Sequence, residues 1–186
     1  MSRTPPGGAR AKVLEAASTL FYRDGIRAVG VDTVAAQAGV TKAALYHNFG
    51  SKSGLVVAYL RERDRLWQQQ IDAITAGHAS PRERVLAVFT AYEAWLTRDD
   101  YRGCAFLNAT SEVPDPADPV HVVVRHHKSA VRDYLRAQLE RFAPERAEPL
   151  AEELMLLLEG AAAMAVVART ARPFQSAKRL AETLLA

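Results

Sequence analysis

The chain has 186 residues, 49% of them hydrophobic, a formal net charge of +3 and a single cysteine, Cys104. That composition suffices for one or two small cores, and it excludes large-scale disorder and any intrachain disulfide. The start MSRTPPGGAR lacks the apolar run of a secretory signal, and the longest apolar stretch, residues 160–168, is far below the ~20 residues that span a bilayer, so a cytoplasmic protein is expected.

The first predicted feature is a flexible arm carrying Arg3 and Arg10, since Pro5-Pro6-Gly7-Gly8, within residues 1–8, cannot pack as helix. From Ala9 to Asp24, Val13, Leu14, Ala17, Leu20 and Phe21 recur at helical spacing until Gly25 stops the run. Residues 31–55, VDTVAAQAGVTKAALYHNFGSKSGL, then read as two short helices joined by a tight turn and followed by a newly capped third. Val34, Ala35 and Ala38 form an apolar face, and Gly39 sits at the reversal. Thr41 caps the next helix. Leu45 and Phe49 point inward, which leaves Lys42, Tyr46 and His47 on the outer side.

The motif in this segment resembles that of the TetR family of transcriptional regulators, through Ala38-Gly39-Val40, the cap Thr41, Tyr46 and Phe49, and then Lys52 and Leu55. The resemblance implies a helix-turn-helix that meets duplex DNA. Thr41 and Lys52 then lie at helix starts that hold phosphate, Lys42 donates to a guanine edge and Ala43 touches a thymine methyl. Tyr46 and His47 grip the backbone. The sequence departs from the family at Gly30, where Ser or Thr usually caps the second helix, so a phosphate there falls to backbone N–H groups. The charge pattern agrees. Through Arg65 there are ten basic and five acidic residues, a surplus of five, while the remainder of the chain is two negative.

Beyond the motif, Ser51 caps a long helix reaching about Ala76, with Leu55, Tyr59, Leu66 and Ile71 among its apolar positions, so that a shift at its far end could rotate the head. Pro81 opens a helix to about Thr97, with Val85, Phe89, Tyr92 and Leu96 along one face. A short apolar piece from Cys104 to Thr110 precedes the proline-rich loop of Pro114, Pro116 and Pro119. Three more helices follow, over about 120–142, 147–169 and from Pro173 onward, and no strand alternation occurs anywhere. The expected fold is all-α: an amino-terminal three-helix helix-turn-helix head (residues 1–50) joined by a long helix to a helical ligand-binding and dimerisation body (residues 51–186).

Within the body, Phe89, Tyr92, Trp95, Phe106, Asn108 and His127 could line a cavity for a small-molecule effector or simply fill the core; the family resemblance favours the cavity. Leu154, Leu158, Ala161, Ala162 and Ala165, with Phe174, Leu180 and Leu184, read as a homodimer interface of two helices from each chain, which the resemblance also implies. His121, His126 and His127 point in different directions on a helix and match no zinc spacing, so no metal and no other cofactor is expected. Cys104 is either a buried thiol or an oxidant sensor. The reading is therefore a non-enzymatic regulator, a repressor released from a near-palindromic operator by its effector. The alternatives are a helical carrier or enzyme, and a DNA binder that answers to no effector.

Overall fold

In the computed structural model the residues described are 8–98 and 100–186; the expected arm, Arg3 included, lies outside them up to Gly8. All the regular elements among them are helices: α1 (Ala9–Asp24), α2 (Val31–Ala38), α3 (Lys42–Phe49), α4 (Lys52–Thr75), α5 (Pro81–Arg98), α6 (Ala105–Glu112), α7 (Pro119–Leu139), α8 (Ala147–Ala168) and α9 (Arg172–Leu184), with a 3-10 turn at Pro144–Arg146. The all-helical expectation is met. Arg10 lies in the first turn of α1 and not in an arm, its guanidinium 5.2 Å from the centroid of the Phe49 ring.

The chain forms two compact units, and neither is a single stretch. The first runs to Arg63 and takes in Ala105–Val124; the second comprises Asp64–Cys104 and Arg125–Ala186. In the first unit, α1, α2 and α3 pack on the start of α4. Val13, Ala17, Val34, Leu45, Leu55 and Leu60 are all buried, and Phe21 meets Tyr59 edge to face at 5.8 Å. Two carboxylates tie the returning segment to this core: Glu112 Oε2 accepts from the Arg27 backbone N–H at 2.9 Å, and Asp118 Oδ1 accepts from Ser53 Oγ at 2.8 Å. Gly25, at φ 95°, lets Glu112 come this close, because a Cβ there would lie 3.0 Å from the carboxylate.

The second unit is organised around Trp67. Its indole stands edge to face against Tyr92 (4.7 Å), Trp95 (5.5 Å) and His127 (6.2 Å), geometry that favours the ring quadrupoles as well as burial. Leu66, expected on the apolar stripe of α4, is 40% exposed instead, and Trp67 takes the inward place. Along α7, His127, Val131, Leu135 and Leu139 point inward. Beside them α5, α8 and α9 pack through Val85, Phe89, Leu150, Leu154, Leu158, Phe174 and Ala181.

His127 Nδ1 donates to Asp64 Oδ1 at 2.7 Å, since a carboxylate oxygen can only accept. Burial lowers the His127 pKa below the ordinary imidazole value despite the carboxylate, so the neutral ring is the form the fold prefers. For Asp64 burial is the largest single influence and acts upward, but the hydrogen bond and charge of His127, together with His126 and Gln68, outweigh it and hold the carboxyl below its usual value. Both groups therefore take up protons more readily in the unfolded chain, and their contribution is complete above the unfolded imidazole pKa and lost as pH falls. Thermal melts should show stability dropping between about pH 7.5 and about pH 5.5, with part of that drop absent in His127→Gln. An unaltered pH profile in the variant would refute the assignment.

Candidate nucleic-acid interface

The reading unit is assembled by local signals. Gly30 precedes α2 in extended conformation with no side-chain cap, which leaves the first backbone N–H groups of α2 open to an anion. Gly39 then ends α2 at φ 62°, ψ 39°, a left-handed conformation that glycine adopts without strain, and its N–H returns to Ala35 O and Ala36 O. Two residues on, Thr41 Oγ1 accepts from the Ala44 N–H at 3.1 Å and starts α3. Ser51 Oγ does the same for α4, accepting from the Gly54 N–H at 2.9 Å.

Leu45 anchors α3 in the core at 0% exposure, while Phe49 is half-buried under Arg10. That orientation turns Lys42, Ala43, Tyr46 and His47 outward: Ala43 and His47 are exposed, and Tyr46 is 40% exposed. Lys42 Nζ donates to Asp32 Oδ2 of α2 at 3.0 Å, with both side chains at the surface, and the hydrogen bond and charge of Asp32 raise the ammonium pKa. Lys52, at the first position of α4, is half-buried, and the loss of water lowers its pKa. The structure thus places Thr41, Lys42 and Ala43 at the start of α3, Tyr46 and His47 exposed on its second half, and Lys52 at the start of α4. It adds Asp32, which sequence reasoning passed over although an acid in the first turn of α2 is visible in the motif.

Residues 13–59 match the family described as bacterial regulatory proteins, tetR family, and residues 81–181 match the tetracyclin repressor-like C-terminal domain. The chain belongs to the TetR family. A solved TetR-family regulator from Streptomyces coelicolor is 33% identical, with a TM-score of 0.80 over 92% of this chain and 94% of that one. The regulator YjdC of Escherichia coli is 26% identical over 179 residues, 95% of this chain and 93% of its own length. The repressor KstR2 of Rhodococcus jostii is 36% identical over 88 residues, 47% of this chain and 43% of its own. The protein is accordingly a DNA-binding transcriptional regulator and not an enzyme; TetR-family regulators bind DNA operators and function as dimers.

The body of this TetR-family chain distributes the other expected residues differently. Phe89, Tyr92, Trp95 and His127 come together around Trp67 in the second unit, whereas Phe106 and Asn108 belong to the first. Six of the eight residues expected at a dimer interface, Leu154, Leu158, Ala161, Ala162, Ala165 and Phe174, are already buried inside one chain, and only Leu180 (55%) and half-buried Leu184 reach the surface. The reason is that α8 is apolar nearly all round, so its periodicity does not say which stripe faces α5 and α9. The stripe left open carries Leu156 (74%), Met164 (56%) and Val167 (78%), with exposed Gly160 and Ala163 between. Of the α7 histidines, His121 bonds Val113 O through Nε2, His126 is exposed and His127 holds Asp64. No helix among the described residues is long and apolar enough to cross a membrane.

Proposed function

We propose that the protein is a cytoplasmic homodimeric repressor that occupies a near-palindromic operator and leaves it when a small molecule binds the body. Residues 1–50 meet the DNA through Thr41, Lys42, Ala43, Tyr46 and His47, joined by Lys52 at the start of the next helix; residues 51–186 otherwise bind the effector and dimerise. The observation that carries this reading is the outward face of α3, held by buried Leu45 and the Thr41 cap between two further helix starts. Repression is supported by the likeness to KstR2, which is named as a repressor.

Dimerisation is supported by the open apolar stripe of α8 together with Leu180 of α9, a larger cluster of exposed aliphatic residues than a solitary helix needs. An effector site among Phe89, Tyr92, Trp95 and His127 is supported by Trp67 Nε1, a buried donor with no hydrogen-bond partner among the described residues. An effector acts only by preferring the form that does not bind DNA, and a full switch of about 10⁴ in population takes roughly 5.5 kcal/mol of preference.

Fluorescence anisotropy with duplexes selected from random sequence tests the DNA assignment. Tyr46→Ala should weaken binding to selected and unrelated duplexes alike, by about tenfold, because a backbone contact carries no base information. Affinity unchanged on every duplex would remove Tyr46 from the interface.

A further inference from the structure

We infer that Asp32 and Lys42 act together as one base reader, selecting a keto base on one strand paired with an amino base on the other at a single position of each half-site. This rests on the reading of α3 as the groove-facing helix and adds a specificity determinant to it. The starting observation is that an acid stands where DNA is expected. Asp32 lies in the first turn of α2, two residues after uncapped Gly30, and its carboxylate is 73% exposed. A carboxylate turned toward phosphate would oppose binding. This one is turned toward α3, where Oδ2 accepts from Lys42 Nζ at 3.0 Å, beside the Thr41 cap.

Stability does not account for the pair, since an ion pair between two exposed side chains contributes little. A first-turn carboxylate also favours the α2 dipole, but that role does not need Lys42. In the major groove, by contrast, each member has a defined partner. A carboxylate accepts only from the amino groups of cytosine or adenine, and an ammonium donates to the keto oxygens of guanine or thymine or to a purine N7. Within one base pair those keto and amino groups are joined by a Watson–Crick hydrogen bond of about 2.9 Å. The separation of Asp32 Oδ2 and Lys42 Nζ is nearly the same, so the ion pair can lie against the base pair edge with both partners satisfied at once.

The matching pairs are G·C and T·A, with the keto base toward Lys42 and the amino base toward Asp32. Guanine is preferred because N7 gives the ammonium a second acceptor. The reversed pairs place amino against ammonium and keto against carboxylate. Both contacts become repulsive.

Binding selection with the full-length protein, followed by anisotropy on single-substituted duplexes, tests the inference. The wild type should show one half-site position ranking G above T, with A and C weaker by about tenfold or more. Asp32→Ala should flatten that ranking while binding unrelated DNA more tightly, because the Lys42 ammonium is no longer neutralised and the head gains net positive charge toward the polyanion. A merely structural Asp32 would lower both affinities together and leave the ranking intact, which would overturn the inference. As a probe independent of protein folding, N4-methylcytosine placed opposite the preferred guanine should weaken the wild type about tenfold and leave Asp32→Ala indifferent. Equal loss in both proteins, or no keto-selecting position at all, contradicts the inference. A protein with no sequence preference anywhere would instead refute the operator-binding reading on which it rests.

Discussion

Met164→Glu combined with Val167→Glu should turn the protein into a monomer and cost at least 100-fold in operator affinity. Both side chains lie on the open stripe of α8, so the change leaves the chain's own core untouched. A twofold interface repeats each residue, and four carboxylates would then face one another where apolar surface had met. Burying one such side chain contributes roughly 1.5–3 kcal/mol, so four losses together exceed what a typical interface can absorb. Dimerisation matters for DNA because the second head binds at high effective concentration once the first is docked, with half-sites about one helical turn apart. Sedimentation should report a folded monomer whose melting no longer depends on protein concentration, and anisotropy the weakened binding. A variant that still sediments as a dimer would place the interface elsewhere.

Lys128→Met should lower stability by about 3 kcal/mol, because it leaves a carboxylate largely out of water with its counter-ion gone. Lys128 Nζ donates to Glu159 Oε1 at 2.5 Å and to Cys104 Sγ at 3.3 Å, and the Tyr92 hydroxyl donates to the same carboxylate oxygen at 3.4 Å. The side chains of Lys128 and Glu159 are only 18% and 23% exposed. Burial alone would lower the ammonium pKa, but Cys104 and Glu159 outweigh it, and Lys128 stays charged. Burial and Glu159 push the Tyr92 hydroxyl well above its ordinary value, so it remains a donor. The melting temperature should fall by on the order of 10 °C. Adding Glu159→Leu should restore most of the loss, since an apolar pair of similar volume avoids the buried charge. If the double variant is as unstable as the single one, the pair is not what Lys128 contributes.

The parts of this fold legible in the sequence are those fixed by neighbours along the chain. Thr41 and Ser51 cap their helices, Gly39 takes the left-handed turn, and Pro81 opens α5, each within a few residues of its cause. The parts that were not legible depend on what arrives from far away. Arg27 meets Glu112 across 85 positions, and no local pattern pairs them. Leu66 and Trp67 are adjacent and both apolar, and only the packing of Tyr92, Trp95 and His127 decides that the indole turns inward. The same ambiguity holds for α8, where a helix rich in Leu, Ala and Val presents two usable faces and α9 packs on one of them. At the DNA face, Lys42 was legible as a donor. Its pairing with Asp32 was not, since it depends on how α2 and α3 cross.

The most direct test of the account is a titration of one selected operator duplex and one scrambled duplex of equal length, at physiological salt, with stoichiometry read from the same curves. The account predicts two protomers per operator and an affinity at least about 10³ times that for the scrambled sequence. Equal affinity for both duplexes would contradict it.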